Sequence, residues 1–303
     1  MQRNINKGLT MGDKTKVWVS FGAALLASTS LVTASLAAGA PPTAASDGRV
    51  LRAAAAPDAG AAVDRLQLAA GSAEEGGEGG EGGEAGDGAA ESRLVESDSA
   101  YLTQLGLMRG HLTIGVELYR QGAAAAAATH MKHPEDELYK DLEEALEERG
   151  APEFEAQLEA LAARVETRAP IAEVEAAYDA VLAAIARAED AVADPGAHEI
   201  GEVIHNLVHT AAEEYGDAVA GGKIVEGHEY QDALGFTRVA EDWLTKLAAA
   251  GANAAVVKAI GAQLAVIRPA WPSLVPPETA ALDPSVIHGA AARIEIAVLH
   301  LKQ

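Results

Sequence analysis

Beyond residue 96 the chain carries one apolar helical period after another, separated by connections of only a few residues. That pattern does most to restrict what it can fold into. YLTQLGLMRGHLTIGVELYRQG at 101–122 is apolar on more than one side, which predicts a helix buried within a bundle. A poly-Ala run leads into HPEDELYKDLEEALEERG. Pro134 suits a helix start there, with Glu135, Asp136 and Glu137 in the first turn and Arg149 and Gly150 at the end. Two amphipathic segments follow at 151–168 and 170–192, each opening at or beside a proline. ADPG breaks the chain before AHEIGEVIHNLVHTAAEEY. Three more helical segments complete it, the last two separated by the Pro-rich WPSLVPPETAALDPS. Residues 97–303 therefore read as an all-α domain, an antiparallel helical bundle of about eight helices built from helical hairpins. No strand or β-hairpin signal competes. Abundant alanine and only 4 % aromatic residues favour helix over sheet.

The first third reads differently. Residues 1–40 have the layout of an export signal peptide: Arg3, Lys7, Lys14 and Lys16, then the uncharged VWVSFGAALLASTSLVTASLAAGA ending in small residues. This predicts an exported, periplasmic protein. The rival is an uncleaved segment anchoring the chain in the inner membrane, because the apolar run is nearly long enough to span it. Met1 and Met11 are both candidate starts. Residues 41–96 read as a disordered acidic linker rich in Ala, Gly and Glu, too poor in apolar side chains to offset its ordering entropy.

The net charge of −22 argues against nucleic acid as a partner and suits cations. Without cysteine, any metal site must use His, Asp, Glu or Tyr, which suits iron, zinc or copper(II). The most pointed pattern is on the 197–215 helix. There His198, Glu202, His205, His209 and Glu213 are spaced by four, three, four and four, and so line one face. That face is either the working side of a metal-binding bundle or a solvated face rich in histidine. Glu202-x-x-His205 has di-iron spacing, but the second copy such sites need is absent from the sequence. His205-x-x-x-His209 lacks the glutamate of the helical zinc hydrolases, since Asn206 stands there.

His130, His133 and Glu137 straddle the Pro134 helix start, and the proline leaves open whether the two histidines share a face. His111 falls among apolar neighbours, so its burial requires a partner, either a facing carboxylate or a metal. His228, in VEGHEYQDALGF, reads as a loop ligand or, more economically, as part of an acidic helix start. His288 and His300 are given no role.

AAEEYGDAVAGGKIVEGHEYQDALGFTRVAEDWLTKL resembles the later helices of the imelysin-like domain of EfeO-type periplasmic iron-uptake proteins. GHLTIGVELYRQGAAAAAATHMKHPEDELYKDLEEAL is similar to its opening hairpin. The resemblance spans roughly residues 98–301. It implies an exported bundle of repeated hairpins with metal binding at a His/Glu site and a role in metal uptake. The family's Gly-x-His-x-x-Glu hallmark does not occur here. Gly110-His111 lacks the Glu, and His133 has an acid three residues on, Asp136, but no glycine two before it.

Together these readings predict a metal-binding protein linked to metal uptake or homeostasis. Its ligands are drawn from His198, Glu202, His205 and His209, with His130, His133, His111 and Glu137 as partners. The expected partners of the whole are the metal ion and another cell-envelope protein or metal transporter, with membrane contact only through an uncleaved leader. Because neutral imidazoles are required, binding is expected to weaken below about pH 6. The alternatives are a metal-free helical interaction module of the cell envelope and, third, a metallopeptidase-like hydrolase. No residues assemble a catalytic site for the last.

Overall fold

The structure, a computed structural model, describes residues 87–302. The export-signal reading at 1–40, and the linker reading as far as residue 86, lie outside them. The described chain is all-α apart from one two-stranded hairpin. Its helices are α1 (Asp87–Glu96), α2 (Asp98–Arg120), α3 (Ala124–His133), α4 (Lys140–Glu148), α5 (Glu155–Glu166), α6 (Ile171–Glu189), α7 (Ala197–Ala218), α8 (Gly227–Ala249), α9 (Ala254–Ile267) and α10 (Pro284–Leu299). No helix among the described residues is long and apolar enough to cross a membrane.

The contacts form two four-helix rings. In the first, α2 packs on α3, α3 on α5, α5 on α6, and α6 back on α2. In the second, α7 packs on α8, α8 on α9, α9 on α10, and α10 back on α7. Helix α2 joins the rings by packing on both α7 and α8. It can do so because it is apolar on several sides, as its sequence predicts: Tyr101, Leu105, Met108, Leu112 and Ile114 are all fully buried.

Three local features depart from the sequence reading. Residues 87–96, at the end of the stretch read as linker, form α1, which packs on α4 and α2. Arg149, at the end of α4, donates to the Leu94 and Val95 carbonyls at 3.2 Å each, satisfying the C-terminal acceptors of α1. Second, a β-hairpin does occur: β1 (Val219–Ala220) pairs antiparallel with β2 (Lys223–Ile224). Its signal was Gly221-Gly222, both at positive φ (59° and 76°), as a tight two-residue hairpin turn demands. Third, Pro134 does not begin a separate helix. The chain runs from α3 through a π-helical turn, Pro134–Tyr139, directly into α4. Proline offers no N–H to the carbonyl one turn back, and the wider turn accommodates that loss without breaking the helix.

Two close approaches then position the site. A methyl on Gly235 of α8 would stand 2.7 Å from the Gly110 carbonyl oxygen of α2, and one on Gly110 would stand 2.7 Å from the Phe236 ring. These backbones touch because neither residue has a side chain. His111 directly follows one glycine and Asp232 lies about one turn before the other, so the crossing brings them together.

Candidate metal centre

Where α2, α3 and α8 meet, four imidazoles surround one carboxylate. Asp232 is buried on α8, with His228 one turn before it on the same face. His111 Nδ1 lies 2.6 Å from Asp232 Oδ1, and His130 Nδ1 lies 3.0 Å from the same oxygen. His228 Nδ1 lies 3.1 Å from Asp232 Oδ2. The His130 and His228 rings stack at 4.3 Å, and His133 stands 5.2 Å from both His111 and His228. The floor is buried: His130, Asp232, His228 and His111 are all shielded by surrounding protein. The rim is open, with the His133 side chain 34 % exposed and its partner Glu137, 3.0 Å away, 64 % exposed.

Short as they are, the contacts of His111 Nδ1 and His130 Nδ1 with Asp232 Oδ1 do not have hydrogen-bond alignment, and all three buried atoms are left without such a partner. The protonation of His130 shows why this matters. The Leu274 carbonyl, in the Pro-rich loop, accepts from Gln231 Nε2 at 3.2 Å. The amide is thereby oriented, and Gln231 Oε1 faces His130 Nε2 at 3.0 Å. That oxygen only accepts, so the proton of a neutral His130 sits on Nε2 and donates to it. Nδ1 is then an unprotonated nitrogen 3.0 Å from Asp232 Oδ1, with its lone pair directed to one side of that oxygen. A second ring proton or a cation would remove the repulsion. Burial holds His130 below the ordinary imidazole range, which opposes the second proton.

Charge at the centre is strongly perturbed. Burial works against the Asp232 carboxylate, yet His111, His130 and His228 outweigh it and hold the group well below its usual range. Burial also pulls on His228, but Asp232, Glu229 and Glu214 prevail and push it up to about 9. Glu214, from α7, is pushed up to about 8 by burial and by the nearby charges of Asp232 and Glu229.

In ligand geometry, three groups can each gather donor atoms within 4.8 Å of one another: His111, His133 and Asp232; His130, His228 and Asp232; and Glu214, Glu229 and Asp232. Neighbouring donors in a shell with bonds of about 2.1 Å stand roughly 3.0 to 3.4 Å apart, which the 3.0 and 3.1 Å contacts match. The donor set of imidazole and carboxylate suits iron, zinc or copper(II).

His111, His130 and His133, expected on sequence grounds, thus come together, with Glu137 at the rim. The α7 stripe is placed elsewhere. His198 Nε2 pairs with Glu202 Oε1 at 3.0 Å and His209 Nε2 with Glu213 Oε1 at 3.4 Å, each along the helix. His205 stacks on His209 at 5.8 Å. His198, Glu202 and His205 line a groove with Glu295 and Lys302. Among the described residues none of the stripe joins a group of three converging ligands. His228 and Asp232 stand outside the ligand set expected from sequence, where His228 is a loop ligand only as the less economical of two readings. Their i, i+4 spacing is present in HEYQD, but an acidic helix start explains these residues without a partner.

The fold and site define an all-α protein carrying a buried His/Asp cluster of metal-ligand type between two helical rings. Residues 196–300, which span the second ring from α7 to α10, match the iron permease-associated 4-helix bundle domain. No curated protein and no solved structure matches the chain. The matched stretch contains His228 and Asp232, while His111, His130 and His133 come from the ring before it.

Proposed function

We propose that this is an exported metal-binding protein of an iron-uptake system, taking iron or a related transition metal at His111, His130, His133, His228 and Asp232. The observation that carries the reading is His130 Nδ1, left unprotonated by Gln231 and Leu274 and standing 3.0 Å from a buried carboxylate oxygen that its lone pair passes to one side, as two donors converging on one ion would. A cation between the nitrogen and the carboxylate would satisfy both. The match of α7–α10 to a domain associated with iron permeases supports iron as the cargo and a membrane metal transporter as the partner. The imelysin-like resemblance extends the same reading to residues 98–301. His133 and Glu137 give the cation a route in from solvent, and the acidic surface draws cations towards it. The stripe on α7 is read as a solvated face. Periplasmic placement, with or without a retained leader, follows from the 1–40 pattern.

Calorimetric titration of the full chain with iron(II) under anaerobic conditions, and with zinc(II), tests this beside Asp232→Asn and His228→Ala. We expect stoichiometric binding in the parent and its loss in both variants. Equal affinity in parent and variants would falsify the assignment.

A further inference from the structure

On the way from α9 to α10, residues 271–283 form no helix or strand, only a single bridge from Thr279 to Lys223. An ordered loop of that length usually serves a function. Side chains hold it in place, because it has no backbone ladder of its own. On α8, Tyr230 Oη donates to the Ser273 carbonyl at 2.7 Å, and Gln231 Nε2 to the next carbonyl, Leu274, at 3.2 Å. Trp271 Nε1 returns a hydrogen bond to the Tyr230 carbonyl at 3.0 Å. Further along, Ile224 N donates to the Glu278 carbonyl at 3.2 Å and Ala280 N to the Gly222 carbonyl at 3.1 Å, tying the loop to the β-hairpin. Tyr215 Oη of α7 donates to the Leu282 carbonyl at 3.1 Å. We propose that residues 271–283 are a strap coupled through Gln231 to the occupancy of the metal centre: a bound cation tightens the strap, and loosening the strap releases the cation. This rests on the metal-binding reading above and names a regulation of that same site.

Of these anchors it is Gln231 that also meets a proposed ligand, His130, at 3.0 Å. The two hydrogen bonds run in series, from His130 Nε2–H to Gln231 Oε1 and from Gln231 Nε2–H to the Leu274 carbonyl, so each polarises the other. His130, Gln231, Asp232 and Leu274 are all buried, where such bonds are electrostatically strongest. A cation taken at Nδ1 draws charge from the ring, makes Nε2–H a stronger donor, and so strengthens the bond to Leu274. In the other direction, a strap that withdraws Leu274 leaves the Gln231 amide free to turn over and offer its NH2 to Nε2. The single ring proton then belongs on Nδ1, beside Asp232 Oδ1, where it takes the place of the cation. Such coupling is reciprocal: metal steadies the strap by the factor with which the strap steadies the metal.

Hydrogen exchange of the full chain, read by mass spectrometry with and without saturating zinc(II), tests this. Local opening of the strap sets exchange at the amides of Ile224 and Ala280. Zinc is expected to slow it there by a factor of about 5–150, as well as slowing exchange around His130. In Gln231→Leu, with zinc raised to saturation, slowing should persist around His130 and vanish at Ile224 and Ala280. The persistence shows that this variant folds and binds. Tyr230→Phe loosens the strap without touching His130 or the Gln231 side chain, and should weaken zinc binding by about fivefold or more. Slowing confined to the surroundings of His130 in the parent overturns the coupling and leaves the metal centre standing. Slowing at Ile224 and Ala280 that survives in Gln231→Leu overturns Gln231 as the link, and unchanged affinity in Tyr230→Phe overturns release through the strap. No bound zinc by calorimetry removes the metal-binding reading itself, and the proposal with it.

Discussion

On α7 the histidines sit seven and four residues apart, and two of the three meet carboxylates one turn along their own helix. Around Asp232 they come from three helices and meet a carboxylate that no solvent reaches. Each α7 imidazole that pairs with a glutamate does so at or near the surface, as His209 does with its side chain 53 % exposed. Such pairs contribute a few tenths of a kcal/mol. The buried imidazoles instead carry orphan nitrogens, and among them His130 is held low by burial, His228 is pushed up by its carboxylates, and His130 has a partner fixed by a further hydrogen bond. Helical spacing can place histidines in a row; convergence on one point requires several helices, because side chains on one helix diverge radially.

The sharpest way to break this contrast is at Asp232. Asp232→Ala leaves buried imidazoles without their counter-charge and should destabilise the metal-free protein by about 3–5 kcal/mol in urea unfolding. Metal affinity should fall by more than the roughly 10–100-fold typical of losing an outer partner. Gln231→Leu removes such an outer partner. It frees the His130 tautomer without touching the metal, so an affinity drop of about 10–100-fold is expected by calorimetry, with every proposed ligand still present. An unchanged affinity would show that His130 does not need its Nε2 held.

Gly235→Ala tests the crossing rather than the ligands. Forcing α2 and α8 apart should destabilise the fold by about 1–3 kcal/mol and weaken metal binding in parallel. Loss of stability alone, with affinity intact, would separate the crossing from the site.

The pH response should differ in sign between the two states. His228 is raised from 6.5 to about 9, so its protonated form stabilises the metal-free protein fully below pH 6.5, and that contribution disappears as pH rises through 9. Glu214, raised to about 8, works in the same direction, since ionising it is costlier in the folded state. Metal at the centre requires His228 unprotonated. Chelator-treated protein should therefore show a falling Tm between pH 6.5 and 9, while metal affinity rises over the same interval. The threshold for weakened binding thus lies well above the pH of about 6 expected for unperturbed imidazoles. Parallel Tm curves with and without metal would contradict this. Smallest of all should be the effect of His205→Ala/His209→Ala, within about twofold in affinity, as suits partly exposed pairs outside the centre.

Much of the fold was legible because helices announce themselves locally. Periodic apolar residues, prolines at or near helix starts and glycines at their ends predicted the order of helices and the buried character of α2. Helix α1 was not legible, since its stability comes from Arg149 and the faces of α4 and α2 rather than from its own composition. Sequence alone separated α3 from α4 at Pro134, because the rule for an isolated proline does not include a π-helical turn. Half of the site was legible too. A buried His111 demanded a partner, and His130 and His133 flagged the next turn. What was not legible was which residue answered. The stripe looked stronger because its regularity is a property of sequence, whereas Asp232 read as one of several acids near a helix start.

The sequence by itself determined that the chain after residue 96 is a succession of amphipathic helices, acidic outside, with imidazole and carboxylate as its available metal ligands. Spacing and composition act over one or two turns, and those features need nothing more. Tertiary structure alone decided which histidines work together. Asp232 reaches His111 and His130 only because two glycines let α2 and α8 touch, and because a loop carbonyl at Leu274 turns Gln231 towards His130. Those contacts join positions far apart in the chain, and their energies depend on burial, which no local pattern encodes.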